Sequence, residues 1–237
     1  MELSFYRNAL VHRLFVALSA ILLLTSCSGD DEGNGVSLSD SPQALAQYDS
    51  SNYGLYKGIF VGSSGVVEVN INNDGEVSAM MVVDGSKYNF STSETITLGE
   101  PIENLTFIGG NRSFDFSVTE TGQNPQISNI DFDGHENPVT EIVKEYSTLH
   151  VKCFQGTFSG DDSGVFNMVQ IGENFYGIAR TQGTAESRWI NAQISGTAIT
   201  GEFDGGTFSG ALNGNTLEGT WVNTLAETGS WTGRRKL

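Results

Sequence analysis

The sequence predicts an all-β fold, an antiparallel meander of short strands that forms a β-barrel or a strongly bent sandwich, with scope for two related halves. Three observations predict it. The chain holds 29 glycines but only 4 prolines, and 10% of its residues are aromatic, which suits many strands joined by tight turns. Apolar residues recur with a period of two. A glycine, hydroxyl, aromatic unit is repeated through the second half.

Taken in order, Ser41 is a candidate N-cap and Pro42 a first helical residue, so one short helix is expected through Tyr48. From Tyr53 the period becomes two. Val67, Val69 and Ile71 alternate with Glu68, Asn70 and Asn72, which turns one face to a core and one to water. Asn73-Asp74-Gly75 supplies a hairpin turn, and the chain returns through Val77–Val83. Asp84-Gly85 repeats the device before Tyr88 and Phe90. Leu105 with Phe107, Phe114 with Phe116 and Val118, and Ile130 with Phe132 mark three more strands, separated by Gly109-Gly110-Asn111 and Gly122-Gln123-Asn124-Pro125. Thr140–Tyr146 fits a helix or a strand.

The second half restates the opening of the first. Tyr56-Lys57-Gly58-Ile59-Phe60-Val61-Gly62 aligns with Phe154-Gln155-Gly156-Thr157-Phe158-Ser159-Gly160, and the unit returns as Gly206-Thr207-Phe208, Gly219-Thr220-Trp221 and Gly229-Ser230-Trp231. A glycine is expected where a strand bends or another backbone approaches, with the hydroxyl on one face and the ring on the other. Closure into a barrel would remove the exposed edges of such a sheet. The expected division is a leader over 1–26, a tether with the short helix over 27–52, a first β half over 53–140 and a second over 141–237.

Residues 1–26 have the parts of a secretory leader, with Arg7 and Arg13 ahead of an apolar run from Leu14 to Leu24 that is too short to span a bilayer. At its end, Leu24-Thr25-Ser26-Cys27 resembles the lipobox of bacterial lipoproteins. That resemblance implies cleavage before Cys27, with acyl chains on its thiol and on the new amino group. Several acyl chains give stable anchoring, at about 0.8 kcal/mol per buried methylene. Ser28-Gly29-Asp30-Asp31-Glu32 is similar to the acidic export signal of surface lipoproteins in Bacteroidota-type bacteria, which implies the outer membrane and an outward-facing position. The glycine-aromatic strands and the lipid tether together resemble displayed β-barrel lipoproteins of the transferrin-binding-protein and calycin-like kind, over residues 55–62 and 154–233.

The formal charge is −16, which repels phosphate backbones and argues against nucleic acid as a partner. With Cys27 acylated, Cys153 has no intrachain mate, so no disulfide framework is expected. In a predicted strand, Cys153 reads as a buried, inert thiol. His135 and His150 are unaccompanied by a Cys/His cluster. Asp131, Asp133 and Glu136 form the densest oxygen-rich loop and a weak calcium candidate, although an Asp-Gly turn explains them equally well. No G-x-S-x-G elbow precedes a helix, and no catalytic residue is assigned.

Aromatic residues give the functional lead. Tyr176, Trp189, Trp221 and Trp231 are candidates to line a concave site, with Arg188 or Arg180 as a polar partner. Large rings in strands also fill cores. The expected function is a non-catalytic binding module that takes a glycan, a small ligand or an envelope protein, with no cofactor. The alternatives are an extracellular polymer hydrolase, and an accessory or inhibitory subunit of an envelope complex.

Overall fold

A computed structural model describes residues 38–62, 64–135 and 138–237. The leader, Cys27 and the acidic run after it lie outside the described residues. The described residues form an all-β antiparallel meander of sixteen strands in two sheets of eight. In the first sheet the strands are β1 (Gly54–Val61), β2 (Ser64–Ile71), β3 (Val77–Val83), β4 (Ser86–Ser91), β5 (Ile102–Gly109), β6 (Arg112–Val118), β7 (Gln126–Asp131) and β8 (Val139–Lys144). Their order is β7-β6-β5-β4-β3-β2-β1-β8. The second contains β9 (Val151–Gly160), β10 (Gly164–Ile171), β11 (Asn174–Thr181), β12 (Ser187–Ser195), β13 (Ala198–Phe203), β14 (Gly206–Asn213), β15 (Thr216–Asn223) and β16 (Thr228–Arg235). It closes through β16 on β9.

The turns form where the sequence places them. Asp84 and Gly85 have φ of 49° and 78°, the two positive values that a two-residue hairpin of the primed kind requires. The expected halves also meet their repeat, since β1 and β9 are the opening strands of the two sheets. The division shifts, however. Residue 141 lies within β8, whose Ile142 pairs with Gly58 of β1, so the sheets part between Lys144 and Val151.

The short helix expected from Ser41 shrinks to one 3-10 turn, Ala46–Tyr48. Its upstream amides are taken by distant groups, Gln43 N donating to Glu145 Oε1 at 2.8 Å and Leu45 N to Asn73 Oδ1 at 2.9 Å. Leu45 is itself extended, with φ −84° and ψ 131°, so the helical turn begins only at Ala46. The end of the predicted tether is thus part of the folded body.

In the first sheet one interior row runs Tyr56, Val69, Ala79, Phe90 across four strands, within a core that also holds Phe107, Phe114 and Phe116. Strand β1 is buried along its whole length. Its other face, with Val66 and Val82, meets Val151, Cys153, Val169 and Ile178 of the second sheet. A strand covered on both sides reads as a nearly continuous apolar run, as Ile59-Phe60-Val61 does. At this seam Asn167 is fully buried, donating to Phe60 O at 2.8 Å and accepting from Ser64 Oγ at 3.0 Å.

Candidate functional site

The second barrel owes its interior to pairs of a large side chain and a glycine directly opposite it. Phe166 faces Gly156, Phe158 faces Gly164, Met168 faces Gly177, Phe208 faces Gly201, Phe203 faces Gly206, Trp221 faces Gly229 and Trp231 faces Gly219. Each side chain lies over the bare Cα of its partner. A Cβ built on Gly156 would stand 2.2 Å from Phe166 Cζ, and one on Gly219 would stand 2.6 Å from Trp231 Cζ2. This close approach is the physical content of the repeated glycine-aromatic unit. It allows eight strands to enclose these seven bulky side chains, alongside Phe154 and Phe175, without overpacking.

At the end of the barrel that carries the turns after β9, β11, β13 and β15, the filling is incomplete. A cavity of about 70 Å³ opens there, or about 610 Å³ of atom-free space when its mouth is counted. The larger figure includes open solvent, so the enclosed part is slim. Phe158, Phe166, Met168, Ile190, Phe203, Phe208, Trp221 and Trp231 form its walls, while Asp162, Thr181, Arg188 and Asn223 supply polar atoms.

The rings are held firmly. Trp231 meets Phe166 and Phe208 edge to face, with centroids 5.8 and 5.5 Å away, and Trp221 meets Phe158 at 6.2 Å. Both indole N–H groups donate to backbone carbonyls, Trp221 to Ser159 at 3.3 Å and Trp231 to Thr220 at 3.2 Å. They offer a ligand apolar and π surface, with no free hydrogen-bond donor.

Most polar groups at the mouth are already engaged. Asp162 accepts from Ser163 N at 2.7 Å and from Thr181 Oγ1 at 2.9 Å. Asn223 donates to Glu227 Oε2 at 2.6 Å, and its own oxygen accepts from the amides of Leu225 and Glu227. Arg188 differs. The residue is partly buried and lines the cavity, and among the described residues its side chain forms no hydrogen bond or ion pair.

Of the residues singled out in the sequence, Arg188, Trp221 and Trp231 come together here. Tyr176 and Trp189 do not join them. Ile190 is buried inside, so strand alternation sends its neighbour Trp189 outward, where it is 47% exposed and pairs with Ile178; Tyr176, 39% exposed, shares that outer face. Arg180 is also on it, donating to Ser187 Oγ at 3.0 Å. The phenylalanines and Met168 that build most of the wall were not singled out in the sequence. Their signal was the in-phase glycine on the neighbouring strand, which is legible only once the register is known.

The oxygen-rich loop gives two described residues. Asp131 ends β7 and Asp133 follows in the turn, both exposed, with Asp133 accepting from Asn111 Nδ2; Glu136 lies outside the described residues. Among the described residues no group of three or more His, Cys, Asp or Glu side chains is placed to hold a metal ion. Cys153 is a free thiol, fully buried at the seam, and burial pushes its pKa well above the usual thiol range.

Comparison with known proteins adds no family to this geometry. No family model matches the chain, and no characterised protein matches it either.

Proposed function

We propose that the chain is an outer-membrane lipoprotein, anchored through Cys27 and facing the cell exterior, whose second barrel is a non-catalytic module that binds a small, largely apolar ligand. The observation that carries the binding half of this reading is the aromatic cavity inside a closed barrel, with few polar groups at its mouth. Small-ligand sites are typically concave and apolar, with a few polar groups that fix orientation. The anchoring half rests on the lipobox-like Leu24-Thr25-Ser26-Cys27 and the acidic run that follows it.

The cavity also weighs against the polymer-hydrolase alternative. Among the described residues Asp162 is the one carboxylate in its lining, whereas glycoside hydrolysis by the usual route needs an acid and a second carboxylate facing one bond. The partly enclosed shape favours a small molecule over an extended glycan. Two measurements test the proposal. Mass spectrometry of the mature protein should show a chain that begins at an acylated Cys27. The purified protein should bind a small apolar ligand saturably and return it unchanged; turnover, or binding that no substitution in the cavity wall affects, would overturn the reading.

A further inference from the structure

Arg188 brings a positive charge to the lining of this apolar cavity. A guanidinium at the rim of an apolar space can hold the head of an anionic ligand in its fork through short, charge-assisted bonds while the rest of the ligand is buried. Arg188 has no such partner among the described residues, while Asp162, the charged group of opposite sign in the same lining, already accepts two hydrogen bonds. Arg188 and Asp162 do not form an ion pair with each other, although both border one small space. The cavity therefore has an apolar floor and a positive edge at Arg188.

Resting on the cavity reading above, we propose that the ligand is a monoanionic amphiphile, a slim apolar chain or ring with one carboxylate-type head, and that its head pairs with Arg188. The chain enters between Phe166, Phe203, Trp221 and Trp231, where each buried methylene adds about 0.8 kcal/mol. The head stops at the mouth, since Arg188 is the second residue of β12, beside the open end. Asp162 sets the limit on charge. A dianionic head would place its second charge near a carboxylate that, among the described residues, has no cation paired with it, so one negative charge is preferred to two.

The test is a calorimetric titration of the whole chain with three ligands that share one tail, octanoate, octanol and octylammonium. Octanoate should bind at least about tenfold more tightly than the other two, the worth of a charge-assisted bond. In Arg188→Met, which keeps an unbranched apolar stem, octanoate should fall to the level of octanol in the same variant. Arg188→Lys should restore part of the preference. Near-UV circular dichroism of each variant establishes that the barrel is intact. Equal binding of octanoate and octanol, or a preference that survives Arg188→Met, overturns the assignment of the head group while leaving the cavity as a site. Failure of all three ligands to bind overturns the cavity reading itself.

Discussion

Lys57 Nζ and Glu145 Oε2 stand 3.0 Å apart where the two sheets meet, with 2% and 0% of their side chains exposed. Glu145 lies in the connection between the sheets and serves both sides of the seam. It accepts from Gln43 N at 2.8 Å and from Val151 N at 3.0 Å, and His150 Nε2 is 3.8 Å away. Arg235, also buried, closes the cluster by reaching Asp40, the Ser39 carbonyl and His150. Charges this deep are tolerated only when paired and hydrogen-bonded.

Removing one partner leaves the other stranded. Glu145→Gln is expected to destabilise the fold by about 3 kcal/mol in urea unfolding, because Lys57 then stays buried with only the more distant, partly exposed Glu68, 4.0 Å away, as a counter-charge. The double substitution Lys57→Met, Glu145→Leu should cost less than Glu145→Gln alone. A loss below about 1 kcal/mol for the single change would show that the pair is solvated.

The ring-over-glycine rule predicts where a single methyl is least tolerated. A Cβ at Gly156 would meet Phe166 at 2.2 Å and the Thr232 carbonyl at 2.4 Å, and Thr232 is on β16, the strand that closes the barrel. Gly156→Ala should therefore cost about 1 to 3 kcal/mol or more. Gly58→Ala should do the same to the first sheet, where the Glu141 carbonyl is 2.3 Å from the new atom. Gly75→Ala, with open space but a φ of 96°, should cost only about 1 kcal/mol. Thermal melts of the three variants check the ranking.

Lys144 gives the pH dependence. Its ammonium donates to the Tyr48 and Tyr53 carbonyls at 2.8 and 3.0 Å and to that of Ser51, tying the segment before β1 to the sheet. Burial lowers its pKa from 10.5 to about 8, against the opposing charge of Asp49. Between those two values the unfolded chain holds a proton that the folded chain has released. This group therefore makes stability rise with pH from about 8 to 10.5, and withdraws that gain as pH falls back through 8. Urea midpoints across this window should rise more steeply for the wild type than for Lys144→Met. Parallel profiles would mean that the lysine titrates as it does in water.

Cys153, sealed at the seam, should react with a thiol reagent only as fast as the protein opens. Stopped-flow labelling in rising urea checks this. Rapid labelling of the native protein would mean that the two sheets separate readily.

Much of this architecture was legible because its signals are local. Period two, Asp84-Gly85 and the 56–62 against 154–160 repeat each specify something within ten residues, and the strands follow. The site was legible only in part. Trp221 and Trp231 announce themselves as rings, but so do Tyr176 and Trp189, and a ring does not declare its face; one residue of phase separates Arg188 inside from Trp189 outside. Register is a long-range property, set when β16 finds β9 some seventy residues earlier. The helix expected at Ser41 failed for a similar reason, since Leu45 is extended with its amide held by distant Asn73.

The central claim is that the second barrel takes an apolar ligand into its aromatic interior. The most direct test is quenching of tryptophan fluorescence by a brominated alkyl carboxylate. The chain has three tryptophans, so each can be left alone by replacing the other two with phenylalanine. Saturable quenching of Trp221 and Trp231, with Trp189 unaffected, is the predicted result. Quenching confined to Trp189, or rising linearly for all three as random collision would give, would contradict it.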